Sequence, residues 1–471
     1  MTQPVHIPAW QPLTTGVLTP AEALPQECAP WRIRLYSVIF FILAGVNTLL
    51  PIERGFPVIR LAEDYPVTLA MIASFVCFLC LVIESGGTIF QSHTSRGYLQ
   101  WQCLFVAALV LSAITSPVPK SAFFVVLNYF TCFILNFFTL RYLFTHGNRR
   151  KLLAIICLVA AAAAIVGLLE RLFGYYLPFY RDFFLNSDYA QMTFAMSQTG
   201  GAFRILGPLG NPILHAVVLS LALPFALGLK GCFKWVTAIL LCISIALSTS
   251  MTGALMAGCY VLGTLAGYTR RIRVLSLIAC GLFATIGAVA IANGSFADNT
   301  SLFQRAIYGD ERSIQTRLQM IDLGLSNILN FDNIPVLLTG RGLKSSSDLT
   351  TAGGTSYNDT LDNVWLTIAY EAGIPAAVLY LLLQISVLHQ LRRFTWTIHW
   401  WGILAWCAAG ASFVTIYYAT ANFLWVALVA WLWTTELRSA GGRVAPSQTV
   451  ARGIPALRYQ AACRTPSQVI S

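Results

Sequence analysis

Residues 359–375 read DTLDNVWLTIAYEAGIP and join a polar loop to a long apolar run. Asp362 and Asn363 stand where a helix should begin, and Pro375 stands where one should break. Proline has no backbone N–H and cannot continue a helix interior cheaply. The stretch therefore reads as a short interfacial helix over 363–371 followed by a membrane helix from 375. Asp362 and Glu371 are nine residues apart, half a turn out of phase and ~13 Å along a helix axis. On one helix they cannot form a catalytic pair, so they need different jobs.

Outward from this stretch, the chain of 471 residues is 57% hydrophobic and only 10% charged. A soluble domain carries about 25% charged residues. Apolar runs long enough to cross a bilayer as helices recur along most of the sequence. They fall near 35–50, 67–83, 99–115, 122–140, 152–169, 213–229, 235–249, 252–268, 274–292, 375–391, 400–417 and 421–436. The expected fold is an all-α polytopic membrane protein of about 12 transmembrane helices. Residues 1–34 form a Pro-rich N-terminal arm without the order of a secretory signal, 35–436 the membrane domain, and 437–471 a flexible C-terminal tail.

The net charge of +11 raises the question of nucleic acid. When alternate loops are assigned to two sides, the N-terminal side collects most of the 30 Lys and Arg but few of the 19 Asp and Glu. Arg32, Arg34, Arg149, Arg150, Lys151, Arg270, Arg271 and Arg273 are among them. Basic short loops mark the cytoplasmic side. Both termini are expected inside, and no nucleic-acid partner is needed to account for the charge. None of the 12 cysteines lies in the long outer loops, and no Cys/His spacing suggests a structural metal.

Two outer segments, 170–212 and 293–374, are too long to be mere connections, and long loops that are not low-complexity tend to be functional. The first ends in GGAFRILGPLGNPILHA, residues 200–216. Glycines and prolines there force turns and bring backbone N–H groups near any ligand. Arg204, just before a membrane helix, reads either as an interfacial arginine snorkelling to headgroups or as a phosphate contact. Asn211 lies in the same turn.

The second segment contains GDERSIQTRLQMIDLGLSNIL, residues 309–329. Ile314, Leu318, Ile321, Leu325 and Ile328 recur at helical spacing and predict an amphipathic helix with that stripe buried. Arg317 falls at the edge of the stripe, as an ordinary charged flank or as a group turned toward whatever the helix covers. PVLLTGRG, residues 335–342, then places Arg341 between Gly340 and Gly342 in a tight turn. Asp362 is either a helix cap or a catalytic base. Glu371 is expected to scaffold the helix break or pair an arginine.

Arg204 with GPLGNP before a helix, Arg317 in an outer amphipathic helix, PVLLTGRG, and then DN-x-x-L with E-x-G form an ordered set on one side. The set resembles the O-antigen ligase and polymerase superfamily over about 200 to 380, and the helix layout extends the likeness along the chain. The resemblance implies a C-type glycosyltransferase architecture at the outer face of the bacterial inner membrane. It also implies undecaprenyl-pyrophosphate-linked glycan as donor and a glycan acceptor, with a flippase and a chain-length regulator as partners. Ligases of the family typically have His-Asn where this chain has Asp362-Asn363, and that His is the proposed base. The family's usual Ser-Arg reads Ser250-Met251 here. An Asp at the His position is similar to some exopolysaccharide polymerases and tilts the reading from lipid A-core ligation toward polymerisation.

On this reading Asp362 is the base, Arg204 and Arg317 stabilise the leaving pyrophosphate with Arg341 in reserve, and Asn363, Glu371 and Asn211 support them. No cluster of acids or histidines suits a divalent ion, so neither metal nor other cofactor is expected. A transporter would carry charges in mid-helix, and here nearly all lie in loops. A receptor or scaffold would need no clustered outer arginines. Transfer to lipid A-core or to protein remains as an alternative.

Overall fold

The computed structural model describes residues 30–49, 57–59, 67–90, 96–173, 205–248, 250, 252–253, 256–260, 311–329, 334–346, 363–391, 398–410 and 419–441. In its first half lie α1 (Pro30–Leu49), α2 (Leu69–Ser85), α3 (Arg96–Ile114), α4 (Pro119–Tyr129), α5 (Asn136–His146) and α6 (Arg149–Phe173). Then come α7 (Pro212–Leu227), α8 (Cys232–Leu247), α9 (Glu311–Ile328) and the short α10 (Ile334–Thr339). The series ends with α11 (Val364–Ala372), α12 (Ile374–Gln390), α13 (Ile398–Gly410) and α14 (Ala419–Gly441). A π-helical segment, Phe130–Leu135, joins α4 to α5 as one rod.

One antiparallel pairing, β1 (Pro57–Ile59) with β2 (Val67–Thr68), departs from the purely α-helical expectation. Segments this short show no period-2 pattern in sequence. The expected runs at 252–268 and 400–417 are described only in part, and 274–292 lies outside the described residues.

Among the described residues, Trp31–Leu49, Pro119–His146 and Arg149–Phe173 are long and apolar enough to cross a membrane, and shorter apolar helices accompany them. Among the described residues the protein is all-helical apart from the one strand pair, with the apolar helices of a membrane protein. Its outward faces say the same. Phe75, Val76 and Leu79 of α2, Val236, Ile239 and Ile243 of α8, and Val378, Leu381 and Ile385 of α12 are exposed. Apolar surface in that quantity belongs against lipid.

The interior is held by aromatic packing rather than by any preference for leaving water, since lipid is as apolar as the helices themselves. Phe105 lies 5.1 Å from Tyr129 and 5.3 Å from Tyr380, ring centre to ring centre. Tyr129 stacks on Phe133 at 4.2 Å, and Trp425 continues the series to Trp406 at 5.9 Å. These contacts tie α3, α4, α12, α13 and α14 together.

Polar contacts gather at the two ends of the bundle. At one end Arg32 pairs with Glu84 at 3.2 Å, and the Tyr36 and Tyr142 hydroxyls donate to the same carboxylate. The start of α1 thus meets the ends of α2 and α5. At the opposite end the last turns of α3 and α6 meet the turns that lead into α7 and α11. That second end carries the segments the charge pattern assigns to the outside.

Candidate functional site

The turn after α10 is clamped by main chain on two sides. Arg341 N–H donates to the Tyr370 carbonyl and Gly342 N–H to the Glu371 carbonyl, each at 2.9 Å. Leu343 N–H reaches the Ser112 carbonyl at 3.4 Å, and Ser116 Oγ donates to the Leu343 carbonyl at 2.7 Å. Gly340 and Gly342 take φ of 73° and 97°. A Cβ on Gly342 would stand 2.3 Å from Ser116 Cα, and one on Gly340 would stand 2.2 Å from the Glu371 carbonyl oxygen. Side chains have neither the room nor the backbone angle there. The G-R-G spacing therefore wedges a turn between α3 and α11, which a tight-turn reading alone did not show.

Glu371 is fully buried. Its Oε1 accepts from Ser346 Oγ at 2.5 Å, and Ser112 Oγ donates to its main-chain carbonyl at 2.6 Å. Ser112 and Ser346 carried no signal in the sequence, because a serine near a helix end and one within a serine-rich loop are both ordinary.

Arg341 itself is exposed, with its guanidinium 5.5 Å from the centre of the Tyr370 ring. Beside it, Asn327 and Ile328 of α9, Val336 and Leu337 of α10, and Ala369 and Tyr370 of α11 enclose about 30 Å³. That holds roughly two waters and no sugar ring. Arg341 is thus exposed beside a small hollow rather than enclosed by the described residues.

The buried face of α9 differs from the expected stripe. Met320, Gly324 and Ile328 are buried, Met320 and Ile328 cluster with Tyr370, and Leu325 is exposed. Of the expected stripe, Ile328 is on the buried face and Leu325 is not, while the side chains of Ile314 and Leu318 lie outside the described ones. Counting only β-branched and leucine positions missed this, because Gly324 has no side chain to count. Arg317 sits in α9 eleven residues before Ile328, about 16 Å along the axis.

The start of α11 falls one residue later than expected, and its cap is Asn363. Asn363 Oδ1 accepts from Trp365 N–H at 2.9 Å and Leu366 N–H at 3.2 Å. The capping role weighed for Asp362 thus belongs to its neighbour. Asp362 and Arg204 lie outside the described residues. Asn211 repeats the cap at α7, accepting from Ile213 N–H at 2.9 Å and Leu214 N–H at 3.1 Å.

Below Asn211, the turn over 205–211 rests on α6. The buried Glu170 carboxylate accepts from Gly207 N–H at 2.8 Å and Leu206 N–H at 3.1 Å. Sequence reasoning gave Glu170 no role, since a lone acid at a predicted helix end looks like solvated surface.

Residues 236–381 match the family model described as O-Antigen ligase. Over that segment the chain is similar to the O-antigen ligase family. The matched segment runs from α8 into α12 and contains the Gly340–Gly342 wedge, α9, Asn363 and Glu371. Arg204, Asn211 and Glu170 precede it. No curated protein matches the chain. The match supports glycan ligase or polymerase function in a membrane protein and does not separate the two.

Proposed function

We propose that the protein polymerises undecaprenyl-pyrophosphate-linked oligosaccharide repeat units at the periplasmic face of a bacterial inner membrane, for O-antigen or exopolysaccharide synthesis. The observation that carries this reading is the O-antigen ligase family match over 236–381, within which Asp362 stands where ligases typically have His. On this reading about 12 helices cross the membrane and both termini are cytoplasmic.

The reaction is a displacement at the donor's anomeric carbon. An acceptor hydroxyl oxygen forms the new C–O bond while its proton passes to the Asp362 carboxylate. The bond from the anomeric carbon to the pyrophosphate oxygen breaks, and its electron pair leaves with undecaprenyl pyrophosphate. Charge accumulates on that leaving group, where Arg204 and Arg317 stabilise it and Arg341 assists. No metal ion enters this scheme.

Two local facts support the assignments. Asn363 supplies the cap of α11, so the capping bonds to Trp365 and Leu366 do not call on Asp362. Arg341 is bonded by its N–H to the Tyr370 carbonyl, toward the other end of α11 and about 10 Å from Asn363 along the axis. Asn363 and Arg341 thus stand toward opposite ends of one short helix.

The likeness to the O-antigen ligase family favours a second reading, transfer of finished glycan to lipid A-core. The glycan that accumulates on undecaprenyl pyrophosphate after gene deletion decides between them. Single repeat units indicate lost polymerisation, and long chains indicate lost ligation.

A further inference from the structure

The turn that follows Arg204 is built onto α6 in a way the proposed reaction does not by itself explain. Ala163, Ala164, Gly167 and Glu170 of α6 are all buried and recur at spacings of three or four residues, so they share one helix face. Ile205 is completely buried, and a Cβ on Gly167 would stand 2.5 Å from its Cγ2. One turn further along, Glu170 Oε2 takes the Leu206 and Gly207 N–H groups. The small-residue face thus ends in a carboxylate, and the chain from 205 to 207 lies along it.

A second buried group backs the turn from α7. The His215 ring fills the space beside Gly207, where a Cβ would stand 2.2 Å from its Nδ1. Its Nε2 lies 3.0 Å from Ser244 Oγ of α8, and that hydroxyl donates to the Ala164 carbonyl at 3.5 Å. Among the described residues, neither Nδ1 nor Glu170 Oε1 has a hydrogen-bond partner. Leaving two polar atoms unpaired in a buried site is costly, which ordinary loop anchoring has no need to bear.

We propose that Glu170 is a positioning residue for the leaving-group site. By holding the Leu206 and Gly207 N–H groups against α6, with His215 behind them, it fixes the described chain from Ile205 onward, the residue that follows Arg204 in sequence. This rests on Arg204 as a pyrophosphate contact in the proposed reaction. Glu170 does not touch substrate; it acts through the turn.

The test uses the full chain in proteoliposomes, as wild type, Glu170→Gln and Glu170→Ala, with two readouts. The first is trypsin cleavage after Arg204, which requires the buried Ile205 to lift. The second is binding of undecaprenyl pyrophosphate itself. An amide oxygen still accepts both N–H groups, so Glu170→Gln is expected to cleave and bind within about threefold of wild type, whereas Glu170→Ala should cleave faster at Arg204 and bind about tenfold to a hundredfold more weakly. Cleavage elsewhere should not change. Unchanged cleavage in the Ala variant, or a Gln variant as damaged as Ala, overturns the anchor. Faster cleavage with unaltered binding overturns the positioning role. Should the Ala variant misfold and be cut throughout, the Gln variant alone decides, by keeping or losing both readouts. A wild type that does not bind undecaprenyl pyrophosphate defeats the functional reading and the positioning role with it, while the cleavage result still judges the anchor.

Discussion

Two turns lie at one end of the bundle, one over 205–211 and one over 340–346, and each meets a buried glutamate near a helix C-terminus. The first is held by a side chain, since Glu170 takes two backbone N–H groups on one oxygen. The second is held by main chain, since the Tyr370 and Glu371 carbonyls take the Arg341 and Gly342 N–H groups while the Glu371 side chain goes to Ser346. Both lie near a helix capped by an asparagine, α7 by Asn211 and α11 by Asn363. A side-chain anchor fails by losing one carboxylate. A main-chain clamp tolerates side-chain change and fails when the backbones can no longer approach.

The largest expected effect follows from that contrast. Gly342→Ala should prevent folded protein from accumulating, because its Cβ would meet Ser116 Cα and the φ of 97° is strained for alanine. Membrane protein level and thermal aggregation check it, and normal levels would dissolve the distinction between the two turns. Next, Arg204→Ala and Arg317→Ala should each reduce polymer formation about 10²–10³-fold at intact protein level. Arg341→Ala should cost about tenfold or less, and Lys at 204 or 317 should rescue poorly because it lacks the bidentate fork. Equal losses at all three would make the Arg341 turn as central as the first. The smallest effects concern the caps. Asn211→Ala and Asn363→Ala should each cost ~1 kcal/mol of stability, with Asp restoring most of it, as read from thermal melts in detergent.

Much of the fold was legible because apolar runs and Pro375 are strong local signals. The break near 373 and the helices on either side fall within about a residue of expectation. The β1–β2 pairing was not legible, since two short segments find each other only through the loop between them. The site was legible as chemistry but not as construction. Arg341 between two glycines could be read; that those glycines seat it against Ser116 and Glu371 could not, because the contacts cross from one helix to another distant in sequence. Met320 and Gly324 replaced Leu325 on the buried face of α9 for the same reason. Glu170 and His215 were missed because burial, which gives each its role, is not written in the residues around them.

The account turns on a carboxylate at 362 that takes a proton, now that the cap of α11 is assigned to Asn363. The direct measurement is the rate of polymer formation from purified lipid-linked repeat units by wild type and Asp362→Asn at matched protein level. An amide cannot accept the proton, so the account predicts a loss of ~10²–10⁴ in rate. Polymer made by Asp362→Asn at the wild-type rate would contradict it.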